Sequence, residues 1–261
     1  VGSLSGHSAA LNRVAGNLDS PIHRLDPRAK LLGLLGLVVV AVSTPLGAWP
    51  VFVACALALA AVAALAAVSP AQLWSRSRLV LALVLAVALV VPLTRTGGAA
   101  HQLGPLTVHG DGLTVLATVA AKSAIGVVAA VLLAATTPFP SLLQGLAALR
   151  VPRVLVLIAA LMYRYAFVVV DEVGRMRTAL AARAYRPRNP LQAAALGKLA
   201  AGLFLRAHAR AERVHVAMLA RGYDGTMPAP APLSPGPADA IFVVALLAAA
   251  VPLRVALGLG Q

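Results

Sequence analysis

The chain has 261 residues, 60% of them hydrophobic and 11% charged, with a mean hydropathy of +0.88. A soluble domain of this length cannot bury that much apolar surface, so the solvent for most of it is lipid. The 22 Lys and Arg outnumber the 8 Asp and Glu, but the basic residues fall between apolar runs and do not cluster on a soluble domain, which argues against nucleic-acid binding.

Residues 1–30, VGSLSGHSAALNRVAGNLDSPIHRLDPRAK, are too long and too polar for a cleaved signal peptide, so the first span is expected to stay as an anchor. Four apolar runs then follow, Leu31 to Ala48, Val51 to Val68, Leu79 to Leu93 and Leu113 to Ala135. Each is suited to a hydrocarbon core about 30 Å thick, and together they form a four-helix transmembrane region over 31–135. Their linkers, STPLGAWP, SPAQLWSRSR and TRTGGAAHQLGPLTVHGDG, read as turns. No segment repeats convincingly, so an inverted-repeat carrier is not expected.

Cys55, the single cysteine, lies inside the second run and reads as a small packing residue, with no intrachain disulfide or thiolate metal site open to it. Lys122 is the one charge well inside an early span. It either pairs within the bundle, snorkels to an interface, contacts a partner or lines a cleft.

Cations precede span one (Arg24, Arg28, Lys30), separate spans two and three (Arg76, Arg78) and follow span four (Arg150, Arg153). The positive-inside rule makes all three places cytoplasmic, the N-terminus included.

Residues 136–225 are expected to be cytoplasmic and interfacial helices. A short element, Pro140 to Leu149, is bounded by Pro138, Pro140 and Pro152. Val154 to Val170 is apolar enough to be another span, but crossing there would place the arginine-rich stretch from Asp171 to Arg221 outside. It is therefore expected to be the buried half of a long helix under the membrane, continuing to about Arg183. After the breaker RPRNP a second long helix runs from about Leu191 to Arg221. Arg206, Arg210, Arg213 and Arg221 fall within an arc of roughly 80° on it, opposite Phe204, Leu205, Val216, Met218 and Leu219. A Pro-rich linker, 226–238, leads to a last transmembrane segment, 239–261, whose apolar span runs from Ala240 to Leu259 and in which Arg254 reads as a snorkelling residue. The fold class expected is all-α, polytopic in the membrane, with about five transmembrane helices and a cytoplasmic domain of amphipathic helices.

No GxxxxGK[ST] phosphate loop is present, so the chain has no nucleotide site of its own. The spans hold no Asp or Glu, which argues against a self-contained, ion-driven secondary carrier. His208 and His215 share a helix face but lie about 10 Å apart along its axis, too far to grip one ion. His7, His23, His101 and His109 have no acidic or sulfur companions at ligand spacing. Asp171 and Glu172 are the only adjacent acids and lack a nearby histidine, so they read as solvated or salt-bridged and not as enzyme machinery.

Two segments correspond in type: LAARAY, with Ala182, Arg183 and Ala184, ends the first long helix, and LARGYDG, with Ala220, Arg221 and Gly222, ends the second. Small neighbours let an arginine project from a helix end into a groove of another protein, where it meets a carboxylate with paired hydrogen bonds. Equally, an arginine near a helix C-terminus favours the helix dipole, and Gly222 is an ordinary C-cap. The residues alone leave both readings open.

HRLDPRAKLL (His23 to Leu32), ATTPFPSLLQGLAALRVPRVL (Ala135 to Leu155), LMYRYAFVVVDEVGRMRTAL (Leu161 to Leu180) and RAERVHVAMLARGYDG (Arg210 to Gly225) occur in that order. Through them the chain, from about Ser20 to Gly225, resembles the T components of energy-coupling factor (ECF) transporters, most of all the cobalt-type CbiQ family.

The resemblance implies a scaffold joining a substrate-capturing membrane subunit, CbiM-like either alone or with a CbiN-like one, to two cytoplasmic ABC ATPases, CbiO-like, which hold the ATP and Mg. It implies no catalytic, metal or cofactor site in this chain. Two Ala-Arg-Gly motifs at helix ends would dock the ATPases. One maps onto Ala220, Arg221 and Gly222; the other onto Ala182, Arg183 and Ala184, departing from the pattern at Ala184. Cobalt is the implied substrate, with nickel or a vitamin as alternatives, and the location implied is the cell membrane.

Overall fold

The structure, a computed structural model, describes residues 22–23, 25–88, 100–103, 106–183, 194–225, 236–248 and 250–258. The described chain is helical apart from one two-stranded hairpin, and it is a polytopic membrane protein of the all-α class. It divides into two compact units, one holding two long helices (149–232) and the other the remaining elements (12–148 and 233–261).

In the larger unit, α1 (Pro27–Ser43) opens on Asp26, whose carboxylate accepts the Arg28 N–H at 2.8 Å, and Pro27 takes the first helical position, where no donor is lost. α2 (Trp49–Leu65) returns antiparallel after a tight turn through Gly47 at φ +85. α3 (Pro70–Ala88) starts well before the expected Leu79. The stretch read as a turn is a helix start: Pro70 opens the helix, and the Ser69 hydroxyl accepts the Gln72 N–H at 3.3 Å. The expected end of that span at Leu93 lies outside the described residues.

The next linker also differs from expectation. It contains the antiparallel pair β1 (Ala100–Leu103) and β2 (Leu106–His109), with Ala100 opposite His109 and Leu103 opposite Leu106. α4 (Gly110–Thr136), about 40 Å long, follows, and then the short α5 (Phe139–Ala148).

The core lies between α1, α2 and α4, with Leu37, Val51, Cys55 and Leu132 fully buried, so Cys55 is the packing residue expected. α8 (Pro237–Ala248) lays Leu246 into the same core. Gly33 and Gly36 of α1 let it approach: a Cβ on Gly33 would lie 3.1 Å from Leu246 Cδ2, and one on Gly36 would lie 3.0 Å from Leu247 Cδ2. The last span, expected as one helix, is in two pieces, α8 and α9 (Val251–Gly258). Pro252 stands at the second position of α9, where its missing N–H costs no helical bond.

The two cations inside spans have defined places. Lys122 Nζ of α4 donates to the Val42 carbonyl at 2.7 Å, and Arg254 Nη2 of α9 donates to the Ser43 carbonyl at 3.1 Å. Both therefore satisfy the final carbonyls of α1, which lipid would leave without a donor. For Lys122 this is pairing within the bundle. For Arg254 it adds a protein contact to the expected snorkelling.

At the other end of α1, buried Lys30 donates to the carbonyls of His23 (3.3 Å) and Thr136 (3.2 Å), while the Asp26 N–H donates to Asp239 Oδ1 at 2.7 Å. The starts of α1 and α8 and the end of α4 thus meet in one polar knot.

Candidate docking site at two helix ends

The smaller unit is built from α6 (Arg153–Ala182) and α7 (Ala194–Ala220), about 45 Å and 40 Å long. Both helices fall within a residue or a few of the expected limits, and the breaker between them lies outside the described residues. Pro152 precedes α6 with extended backbone, as expected where proline cannot continue the preceding turn.

Along α6 the only buried side chain among the described residues is Met176. Val154, Leu155, Ile158, Met162 and Val170 are exposed, as are Phe204, Leu205, Val216 and Leu219 on α7. Two long helices with this much uncovered apolar surface are built to be covered by lipid or by other chains. By length and composition α6 is one of three stretches among the described residues able to cross a membrane, with Gly112–Thr136 and Pro237–Ala256.

One carboxylate fastens the pair. Glu172 binds Arg175 on its own helix and Arg206 on α7, which is the salt-bridged alternative expected for the Asp171–Glu172 pair. The Arg175 contact follows from i, i+3 spacing, whereas Arg206, 34 residues away, has no local signal.

The arginines singled out in the sequence close the two helices in the same register. Arg183 is the C-cap of α6, at φ −87 and ψ 14, its N–H donating to Leu180 (3.1 Å) and Ala179 (3.3 Å) carbonyls. α7 ends at Ala220, and Arg221 takes the equivalent capping position, its N–H donating to the Met218 carbonyl at 3.0 Å. Gly222 follows at φ +80. Its N–H donates to the Leu219 carbonyl at 2.9 Å, and the Tyr223 N–H donates to the Met218 carbonyl at 3.0 Å. This pair of bonds around a left-handed glycine is the Schellman stop, which a side chain with a Cβ disfavours.

Both guanidiniums are on exposed residues, so their charges are available outside the unit. Ala182 is the last helical residue of α6, and Ala184 lies outside the described residues.

The histidines of α7 are not brought to a common ligand. His208 stacks on Phe204, ring planes 7° apart, and lies 3.5 Å from Glu212. His215 faces the cleft beside α6. Among the described residues no cluster of three or more His, Cys, Asp or Glu is placed to hold a metal ion.

A family model described as "Cobalt transport protein", CbiQ, matches residues 19–230. The chain belongs to the CbiQ family. It is similar to a Methanocorpusculum labreanum protein named as a fused cobalt transport protein, CbiMQ, at 29% identity over 81% of this chain and 36% of that one. It is similar to the cobalt transport protein CbiQ of Rhodobacter capsulatus at 36% identity over 44% of this chain and 46% of that one. An uncharacterised Methanocaldococcus jannaschii protein is 34% identical over 46% of this chain and 45% of its own. The chain thus spans between about a third and a half of the length of these CbiQ-related proteins.

Proposed function

We propose that this chain is the energy-coupling transmembrane (T) subunit of an ECF-type ABC importer for cobalt ions, and that it is not itself an enzyme. The observation that carries the reading is the pair of helices α6 and α7, tied at Glu172–Arg206 and each closed by an exposed arginine in the C-cap position. In this reading Ala182, Arg183 and Ala184 dock one CbiO-like ATPase, and Ala220, Arg221 and Gly222 dock the other. Each guanidinium meets a carboxylate in the ATPase groove.

The ATPases hold ATP and Mg and supply the energy, since this sequence has no phosphate loop. When they close, the helix ends move with them. The apolar sides of α6 and α7 then transmit the shift to a substrate-capturing CbiM-like subunit, which releases its ion inside. The relative whose name joins CbiM and CbiQ in one chain supports that partner. The charge bias supports a reading in which α6, α7 and the N-terminus are on the cytoplasmic side and α6 lies in the interface of the cell membrane.

The test is co-purification with CbiO-like ATPases, together with cobalt and nickel uptake in cells. Arg183→Glu combined with Arg221→Glu is expected to abolish ATPase association and uptake while membrane insertion stays intact. ATPase association that survives the double charge reversal would remove the coupling assignment, and uptake of nickel alone would correct the substrate.

A further inference from the structure

Between α6 and α7 opens a cleft of about 770 Å³, within the range of roughly 300–1,000 Å³ that accommodates a sizeable organic ligand. Its two walls differ in chemistry. The α6 wall carries Leu157, Leu161, Tyr165 and Val168, spaced three and four residues apart and therefore stacked on one face. From Leu157 to Val168 this wall runs about 17 Å along the axis, close to the length of one acyl chain, since two chains end to end make a hydrocarbon core of about 30 Å. The α7 wall carries Arg206, Arg210 and Arg213.

The charges in the cleft are unbalanced. Glu172 is its one carboxylate, and it is committed to Arg175 and Arg206. Arg210 and Arg213 have no ion-pair or hydrogen-bond partner among the described residues. An apolar wall one acyl chain long, facing two uncommitted guanidiniums, matches a ligand with a long hydrocarbon chain and an anionic head.

We propose that this cleft binds an anionic phospholipid of the adjoining leaflet, its acyl chain against Leu157, Leu161, Tyr165 and Val168 and its phosphate between Arg210 and Arg213. Guanidinium and phosphate make paired, charge-assisted hydrogen bonds, and basic residues at a membrane surface draw in anionic lipid. A zwitterionic lipid offers the same chain with no net negative charge to balance the two arginines. The site therefore discriminates by headgroup charge, which distinguishes it from the general lipid annulus. The proposal is independent of the coupling assignment, because it concerns the side walls of α6 and α7 and not their arginine tips.

The experiment uses the full chain with Trp49→Phe and Trp74→Phe, and Tyr165→Trp as the sole indole, reconstituted in phosphatidylcholine nanodiscs. Bromine-labelled acyl chains are supplied as a minor fraction, on phosphatidylglycerol in one arm and on phosphatidylcholine in the other. Brominated phosphatidylglycerol is expected to quench the indole several-fold more strongly, and Arg210→Gln with Arg213→Gln is expected to erase that difference. Equal quenching by the two lipids, or a preference that survives both glutamines, overturns the site. Absence of quenching in both arms also overturns it, and would mean that the cleft is closed to lipid. Circular dichroism and ATPase co-purification of the same samples score folding and the coupling role separately.

Discussion

Glu172 and Arg206 form the ion pair that joins α6 to α7, and Glu172 is held on its own helix by Arg175. Arg206 is 65% exposed, so the pair works mainly as a geometric tie and stabilises little. Glu172→Gln is expected to leave the unfolding midpoint almost unchanged but to widen the distribution of distances between spin labels at positions 183 and 221. High salt should widen it in the parent chain and have little effect in the variant. Identical distributions for the two proteins would show that apolar contact alone sets the angle between the helices.

Lys30 acts differently because it is 2% exposed and donates to two carbonyls, those of His23 and Thr136. Lys30→Met fills the space but leaves both acceptors, and the nearby Asp26 and Asp239, without their cation. An unsatisfied buried acceptor costs about 1–3 kcal/mol, so a loss near the upper end is expected in denaturant unfolding. Lys122→Met removes one bond, against two at Lys30, and leaves no carboxylate without its cation, so it should cost clearly less. Equal losses for the two would contradict the polar knot around α1.

His23 gives the same region a pH dependence. Burial, and then the charge of Lys30, push its imidazole below the ordinary value of 6.5. The folded chain therefore binds fewer protons than the unfolded one just below that pH. The stability contributed by neutral His23 is complete above about pH 6.5 and is lost as pH falls through it. Unfolding midpoints measured from pH 7.5 to 5 should fall in the parent chain and flatten in His23→Gln.

Gly33 tests the contact of α1 with α8. An alanine Cβ there would meet Leu246 Cδ2 at 3.1 Å and the edge of the Phe242 ring, Cε1, at 3.2 Å, contacts relieved when those side chains give by a few tenths of an ångström. The helix propensity gained, about 1 kcal/mol, offsets that crowding, so Gly33→Ala is expected to be near neutral. Gly33→Leu must displace α8 and should cost about 1–3 kcal/mol in the same unfolding assay.

These sites differ in how far a linear reading reaches them. The limits of α1, α2 and α4–α7 follow from local chemistry: apolar length, prolines at first turns and Gly222 as a stop. The helical start of α3 was legible as well, since Ser69–Pro70 is a capping signal, but the linker's polar composition outweighed it. What no local pattern carries is pairing across the chain. Asp26 meets Asp239 at a separation of 213 residues, and Arg254 reaches Ser43 across 211. Arg183 and Arg221 were visible as helix-end arginines, whereas the tie that joins their helices, Glu172 to Arg206, depends on how those helices pack.

Gly222 separates the shape of a helix end from its charge. Its φ of +80 requires a left-handed residue, and an added Cβ there would meet nothing within 4 Å, so the cost of Gly222→Ala is purely conformational. That cost is about 1–2 kcal/mol and falls on the two bonds that close α7, Gly222 to Leu219 and Tyr223 to Met218. Because the end is exposed, the rest of the chain should unfold as before. If Arg221 docks an ATPase, the same free energy appears as a weaker complex, by roughly five- to thirty-fold in titration. Gly222→Asn, which tolerates the left-handed region better, should recover part of the loss, while Arg221→Glu should exceed it. An alanine variant that binds the ATPase as tightly as the parent would mean that the guanidinium is held by the partner's groove alone and that the glycine stop has no part in presenting it.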